Sequence, residues 1–196
     1  MKRLLLLSNS TNFGSGYLDH AIVEILSLFA GLTRIAFVPF ALQDQAAYAG
    51  KARARFEREG IAVDPVTADA YGRALVASAG TNIAAPTIKT TNDMPIVAPP
   101  SFEALGLLGF QVNPHYVDAD AGSSHMGETR EDRLREYLEE NETPVLGIRE
   151  GAWLEVLGEA TTLGGANGAK LFRRGHEPRE IAARSRIDVL LADADR

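Results

Sequence analysis

The sequence predicts an α/β protein: a three-layer sandwich with a mostly parallel central sheet and helices on its faces. Two observations carry that expectation. Leu4–Leu7 and Ile35–Val38 are short apolar runs with no alternation, the pattern of strands buried on both faces, and Val145–Ile148 reads as a further strand. Stretches with helical spacing lie between such runs, and a strand–helix alternation implies parallel strands joined by crossover helices.

In order along the chain, Leu4–Leu7 follows a charged start and is ended by Ser8-Asn9-Ser10. Leu18, Ala21, Ile22, Ile25, Leu26 and Phe29 fall at helical spacing, with Gly31 as a stop. Ile35–Val38 is closed by Pro39. Residues 43–59 read as a polar helix ended by Gly60, and 61–66 as a third strand that Pro65 weakens. Ala74–Val76 is a short strand leading into Ser78. Phe110–Val112 is a strand stopped by the turn signal Asn113-Pro114. Thr129 and Asp132 have capping-box spacing, and Leu134, Tyr137 and Leu138 give the following helix one apolar face. Trp153–Leu157 and Lys170–Phe172 flank the glycine-rich 164–168, which reads as a hairpin turn. No Lys-Ser/Thr pair follows it, so a phosphate loop is disfavoured. Residues 1–176 are expected to form the domain and 177–196 a C-terminal tail.

Composition narrows the function. The chain has 196 residues, 45% of them hydrophobic, enough for one domain with a sizeable core. A net charge of -6 disfavours nucleic acid and anionic lipid as partners. With no cysteine, disulfides, thiolate metal sites and cysteine nucleophiles are excluded. Four leucines after Met-Lys-Arg are too few for a secretory segment, and no later run is long enough to span a bilayer, so a cytoplasmic location is expected.

The residues that carry chemistry begin at Ser78. A serine between a strand and a helix can present its hydroxyl at the sheet's C-terminal edge, with helix N–H groups behind it. Ala79 and Gly80 are small and allow close approach. Gly-x-Ser-x-Gly is matched only in part, because Val76 replaces the first glycine. The alternative is a helix-capping serine. His115, just past a strand, is placed to act as a base, and Asp93 or Glu150 to orient it. Arg130 stands at the first position of a helix, where the dipole disfavours a cation, so a carboxylate ligand would explain it. A third constellation holds His115, Asp118, Asp120, His125 and Glu128 within fourteen residues, the makings of a metallohydrolase or of a solvated acidic loop.

The segments "SAGTNIAAPTIKTTNDMPIV", "QVNPHY", "GETRE" and "IREGAW", in this order, together with "LLLLSNST" and "VPF", resemble the motifs of the peptidase E (alpha-aspartyl dipeptidase) family. The resemblance covers most of residues 1–175. It implies a fold similar to class I glutamine amidotransferases, flavodoxin-like, and a serine peptidase that splits dipeptides with an N-terminal aspartate. It implies Ser78 as nucleophile, His115 as base, and Asp93 or Glu150 as third member of the triad. Arg130 would bind the substrate's aspartyl carboxylate, with Ala79 and Thr129 beside it. The implied partner is a small acidic dipeptide, with no cofactor and no metal, in a monomer or homodimer. The sequence also departs from the family. A strand, a Gly-Gly-Gly-Asn-type loop and a helix that precede the nucleophile strand are lacking near residues 70–71, and Ala77 stands where tryptophan is frequent. The lost loop supplies part of the oxyanion hole in the family. Its loss raises the alternative of an impaired homologue that binds acidic dipeptides without efficient turnover.

Overall fold

The structure is a computed structural model that describes residues 3–39, 42–65, 78–93, 98–119 and 127–188. The α/β class expected from the sequence is what it shows. Strand β1 spans Arg3–Leu7 and is followed by helix α1, Ile22–Leu28, behind a 3-10 turn at Asp19–Ala21. β2 (Arg34–Phe37), α2 (Gln45–Phe56) and β3 (Ala62–Pro65) come next. A 3-10 segment, Ser78–Ala84, leads toward β4 (Gln111–Tyr116), α3 (Arg130–Glu140) and β5 (Val145–Arg149). β6 (Ala152–Leu157), β7 (Ala160–Gly165), β8 (Ala169–Phe172) and β9 (Arg179–Ile181) complete the order. The strand expected at 74–76 lies outside the described residues.

Among the described residues, β2–β3 and β4–β5 pair in parallel, each across a helical crossover. The pairs β1–β6, β6–β7, β5–β8 and β8–β9 are antiparallel. β1 shows why an unbroken leucine run belongs here. Leu5 and Leu7 pack with α1, α2, β2 and β3, while Leu6 joins the opposite cluster around Val112, Leu146, Ile148 and Leu154. β5 is likewise covered on both faces, with Val145 against α3 and Leu146 and Ile148 on the other side. Helix α3 has the expected capping box. The Thr129 Oγ1 accepts from the Asp132 N–H at 3.1 Å, and Asp132 Oδ2 accepts from the Thr129 N–H at 2.9 Å. Its inner face buries Leu134 and Leu138, each worth roughly 1.5–3 kcal/mol of transfer free energy.

Three details differ from the sequence reading. The β6 hairpin returns through β7 at Gly158-Glu159, so the stretch 164–168 is not a hairpin between Trp153–Leu157 and Lys170–Phe172. Its glycines serve close approach instead: a Cβ at Gly164 would strike the Trp153 ring, and one at Gly165, where φ is +95°, would strike the Gly151 carbonyl. Next, the stretch from Glu177 carries β9, and Ile187 is buried in the core. Finally, β4 runs on through Asn113-Pro114. Its outer edge is taken by a loop rather than a strand: the Thr90 hydroxyl and the Asn92 amide donate to the Val112 and Pro114 carbonyls at 2.7 and 2.6 Å. A proline, which lacks the N–H of a ladder, fits such an edge.

Candidate active site

The C-terminal ends of β4 and β5 lie side by side, and each delivers one titratable group. The register of the pair shifts between Pro114 and Tyr116, so His115 sits in a bulge with φ at +55°. The left-handed region is unfavourable for a side chain with a Cβ, and a bulge re-aims the residue it contains. Here it turns the imidazole to Glu150, with Nδ1 2.9 Å from Oε1. Both groups are reachable from solvent, with 34% of the His115 side chain and 57% of the Glu150 side chain exposed.

The end of β1 holds both. The Ser8 hydroxyl, wholly buried, accepts the His115 N–H at 2.9 Å and donates to the Ile148 carbonyl at 2.7 Å. The Asn9 side-chain oxygen accepts the Gly151 N–H at 2.8 Å, fixing the turn that carries Glu150. Gly151 has φ at +78°, which only glycine adopts without strain. The Asn167 amide donates to the Glu150 carbonyl from the other side. The glycine-rich stretch is thus a brace for the Glu150 turn.

A cavity of about 320 Å³ opens in front of the pair, lined by Asn82, Asp93, His115, Val117, Arg130 and Glu150 among others. Two acids, one base and one cation that the sequence singled out therefore share one space. Glu150 is the carboxylate on His115 Nδ1. The Asp93 carboxylate instead accepts from the Thr91 hydroxyl at 3.4 Å, while the Asn113 side-chain amide, donating to Asn92 Oδ1 at 2.7 Å, fixes its loop on β4. Arg130 is half-buried and makes no ion pair with any described residue. Burial disfavours its charged form, Arg133 adds to that, and Asp93 acts in the opposite sense. An arginine held there has its guanidinium to offer a ligand.

Ser78 and Ala79 open the 3-10 segment Ser78–Ala84, a tighter coil than the α-helix N-terminus expected. Their side chains lie outside the described part of the structure. The segment is pinned to β1 by the Thr81 hydroxyl, which donates to the Leu7 carbonyl at 2.8 Å, and Asn82, four residues past Ser78, lines the cavity. The Thr129 hydroxyl is engaged in the cap of α3 and donates to Asp132 at 2.7 Å. Asp118 of the acidic stretch is gripped by Arg149 at 2.6 and 2.8 Å, which holds its carboxyl below the usual range, and Glu128 faces Arg133 at 3.5 Å. Among the described residues no group of three or more His, Asp or Glu side chains could hold a metal ion. Asp120 and His125 lie outside them.

Sequence reasoning did not single out Ser8, Asn9 or Asn92 as parts of the site. The polar triplet after a leucine run was the signal: buried polar side chains at a strand end need partners, and here the partners are the backbone of the two site loops.

An α/β fold with an acid–histidine pair at the ends of parallel strands, facing a cavity with a carboxylate and a cation, is suited to hydrolytic chemistry. The model of peptidase family S51 matches residues 4–71 and 70–164. The chain belongs to this peptidase family. Peptidase E of Streptomyces coelicolor is 48% identical over an alignment of 229 positions that covers 96% of this chain and 94% of that protein. A probable alpha-aspartyl dipeptidase of Drosophila melanogaster is 38% identical, covering 97% and 98%. Among solved structures, a peptidase from an acI-B1 actinobacterium superposes with a TM-score of 0.62 at 13% identity, over 94% of this chain and 96% of that one, a likeness of fold. No described helix is long and apolar enough to cross a membrane.

Proposed function

We propose that the chain hydrolyses dipeptides with an N-terminal aspartate, through an acyl-enzyme on Ser78. A serine-type dipeptidase is the coarser statement that the family and the names of the relatives support. The observation that carries the finer one is the shared cavity: Arg130, with no ion pair among the described residues, faces the same space as the His115–Glu150 pair.

In this reading His115 takes the Ser78 hydroxyl proton through Nε2 as the oxygen attacks the scissile carbonyl. Glu150 accepts the Nδ1–H, fixes the tautomer and stabilises the imidazolium. The imidazolium then protonates the leaving amine; the neutral ring next takes a proton from the water that attacks the aspartyl ester and returns it to the departing Ser78 oxygen. Arg130 grips the aspartyl side-chain carboxylate, and Asp93, not engaged with His115 Nδ1, faces the substrate's ammonium. N–H groups of the Ser78–Ala84 segment would serve as oxyanion donors.

A second reading is an impaired homologue that binds acidic dipeptides. The two-part match of the family model, meeting at residues 70 and 71, favours it, as does an alignment of 229 positions against a chain of 196 residues. Both fit the lack of a family segment that carries an oxyanion-hole loop. The test is a panel of Asp-Leu, Asn-Leu, Glu-Leu and Ala-Leu, with turnover and calorimetric binding measured together. Hydrolysis of Asp-Leu above all others supports the first reading. Binding of Asp-Leu without hydrolysis supports the second, and neither binding nor hydrolysis refutes both.

A further inference from the structure

We infer that Ser8 is a positioning residue for catalysis: its buried hydroxyl holds the His115 backbone in the left-handed conformation that brings the imidazole to Glu150. The inference rests on the reading of His115 and Glu150 as the catalytic pair. Three features of the structure meet at this one oxygen. It accepts the His115 N–H at 2.9 Å and donates to the Ile148 carbonyl at 2.7 Å, so both of its hydrogen-bonding roles are used. Ser8 lies one residue past β1, and its own N–H bonds the Ala152 carbonyl at 3.0 Å, which locks it beside β6. And the residue it holds is the one at which the β4–β5 register slips, with φ at +55°.

The physical need is plain. A bulge leaves one N–H without its ladder partner, and a buried N–H without a partner is costly. Here the Ser8 side chain, one residue past β1, satisfies that N–H, and the same hydroxyl ties down the carbonyl of Ile148, two residues before Glu150. One oxygen thereby sets the distance between the two strand ends that supply base and acid. Asn9 completes the arrangement from the adjacent position by holding the Gly151 N–H. Ser8 touches no substrate and acts only through His115 and the Glu150 strand.

Removing the hydroxyl frees the bulge to relax toward an ordinary backbone, which swings the ring away from Glu150. Misplacement of a catalytic group by about 1 Å costs up to roughly a hundred-fold in rate. Ser8→Ala is therefore expected to lower kcat for Asp-Leu by roughly ten- to a hundred-fold while KM stays within about two-fold, because Arg130 and Asp93 are untouched. Ser8→Cys keeps the packing with a weaker donor and acceptor, and is expected to fall between the two; it also serves if Ser8→Ala does not fold.

The experiment pairs these kinetics with nitrogen NMR of the His115 ring in the wild type, Ser8→Ala, Ser8→Cys and Glu150→Gln. The expected result is that the Ser8 variants move the His115 ring signals in the direction that Glu150→Gln moves them. In a His115→Ala background, Ser8→Ala is expected to cost the residual turnover nothing further. Unchanged ring signals in the Ser8 variants overturn the inference, and so does an undiminished Ser8→Ala penalty in the His115→Ala background. If the wild type splits no dipeptide, the functional reading fails separately, and the ring signals alone then decide the role of Ser8.

Discussion

Arg130→Ala is the perturbation whose size the structure lets one work out. Arg130 lines the cavity and has no ion pair among the described residues; Asp93 favours its charge only at longer range, so the guanidinium still has its hydrogen-bonding fork to offer a ligand. Two unit charges about 4 Å apart interact by roughly 4 kcal/mol at an effective dielectric constant of about 20. Arg130 is only half-buried, so solvent screening and the desolvation of the substrate carboxylate take back a share, leaving about 2–3 kcal/mol. At 1.36 kcal/mol per factor of ten, that is roughly a 30- to 150-fold loss in kcat/KM for Asp-Leu. Ala-Leu has no side-chain carboxylate, and its residual cleavage is expected to change by less than about three-fold. Arg130→Lys keeps the charge but not the planar fork and is expected to recover only part of the loss. The assay is kcat/KM for both dipeptides in the wild type and both variants. Equal losses on Asp-Leu and Ala-Leu would refute the reasoning, since they would mean that Arg130 supports the first turn of α3 and not the choice of substrate.

Other perturbations separate the remaining roles. Glu150→Gln replaces the carboxylate 2.9 Å from His115 Nδ1 by a neutral amide that no longer stabilises the imidazolium and is expected to lower kcat by roughly a hundred-fold or more, whereas Asp93→Asn is expected to raise KM with a smaller effect on kcat; steady-state kinetics on Asp-Leu distinguish the two. Gly165→Ala is expected to lower both Tm and kcat, because the new Cβ meets the Gly151 carbonyl beneath the Glu150 turn and the backbone φ is +95°. The Arg149 grip holds the Asp118 carboxyl below its usual range, so this stabilisation is complete above the unfolded-state value of about 3.9 and is lost as pH falls through the lower folded-state value. Thermal unfolding of the wild type should therefore steepen below about pH 4, and Arg149→Met should flatten that part of the profile. Burial disfavours the charged form of His20, against the pull of Asp19 and Glu24, so the unfolded chain binds the proton first as pH drops below about 6.5. Stability should decline there in the wild type and much less in His20→Phe, as read by denaturant midpoints across that range.

Most elements were legible in the sequence because each is specified locally. The leucine run of β1, the capping box of Thr129 and Asp132, and the Gly60 stop, at φ +73°, need no knowledge of the rest of the chain. The apolar strand Val145–Ile148 was equally readable, and so was the position of Glu150 just beyond it. What escaped was set by long-range contacts. Asn113-Pro114 carries the signature of a turn, yet the strand continues, since side chains of Thr90 and Asn92 occupy its open edge from more than twenty residues away. The glycines at 164 and 165 look like a turn, but answer to the Trp153 ring and the Gly151 carbonyl. Ser8 and Asn9 read as the end of a strand, and their part in the site depends on partners more than a hundred residues on. Asp93 and Glu150 were both open as the partner of His115, and it is the parallel β4–β5 ladder that sets Glu150 beside the ring.

Ser78, as the nucleophile that an Asp-Xaa dipeptide acylates, is the residue on which the proposed activity depends most. The direct measurement is the turnover of Asp-Leu by the wild type and by Ser78→Ala, both checked for the same fold by circular dichroism, with the wild type quenched during turnover and the peptide containing Ser78 weighed. If Ser78 is the nucleophile, the wild type turns over and carries an added aspartyl group on that peptide, whereas Ser78→Ala loses at least about a thousand-fold in rate and carries none. Turnover of Asp-Leu by Ser78→Ala at a rate close to that of the wild type would contradict that role.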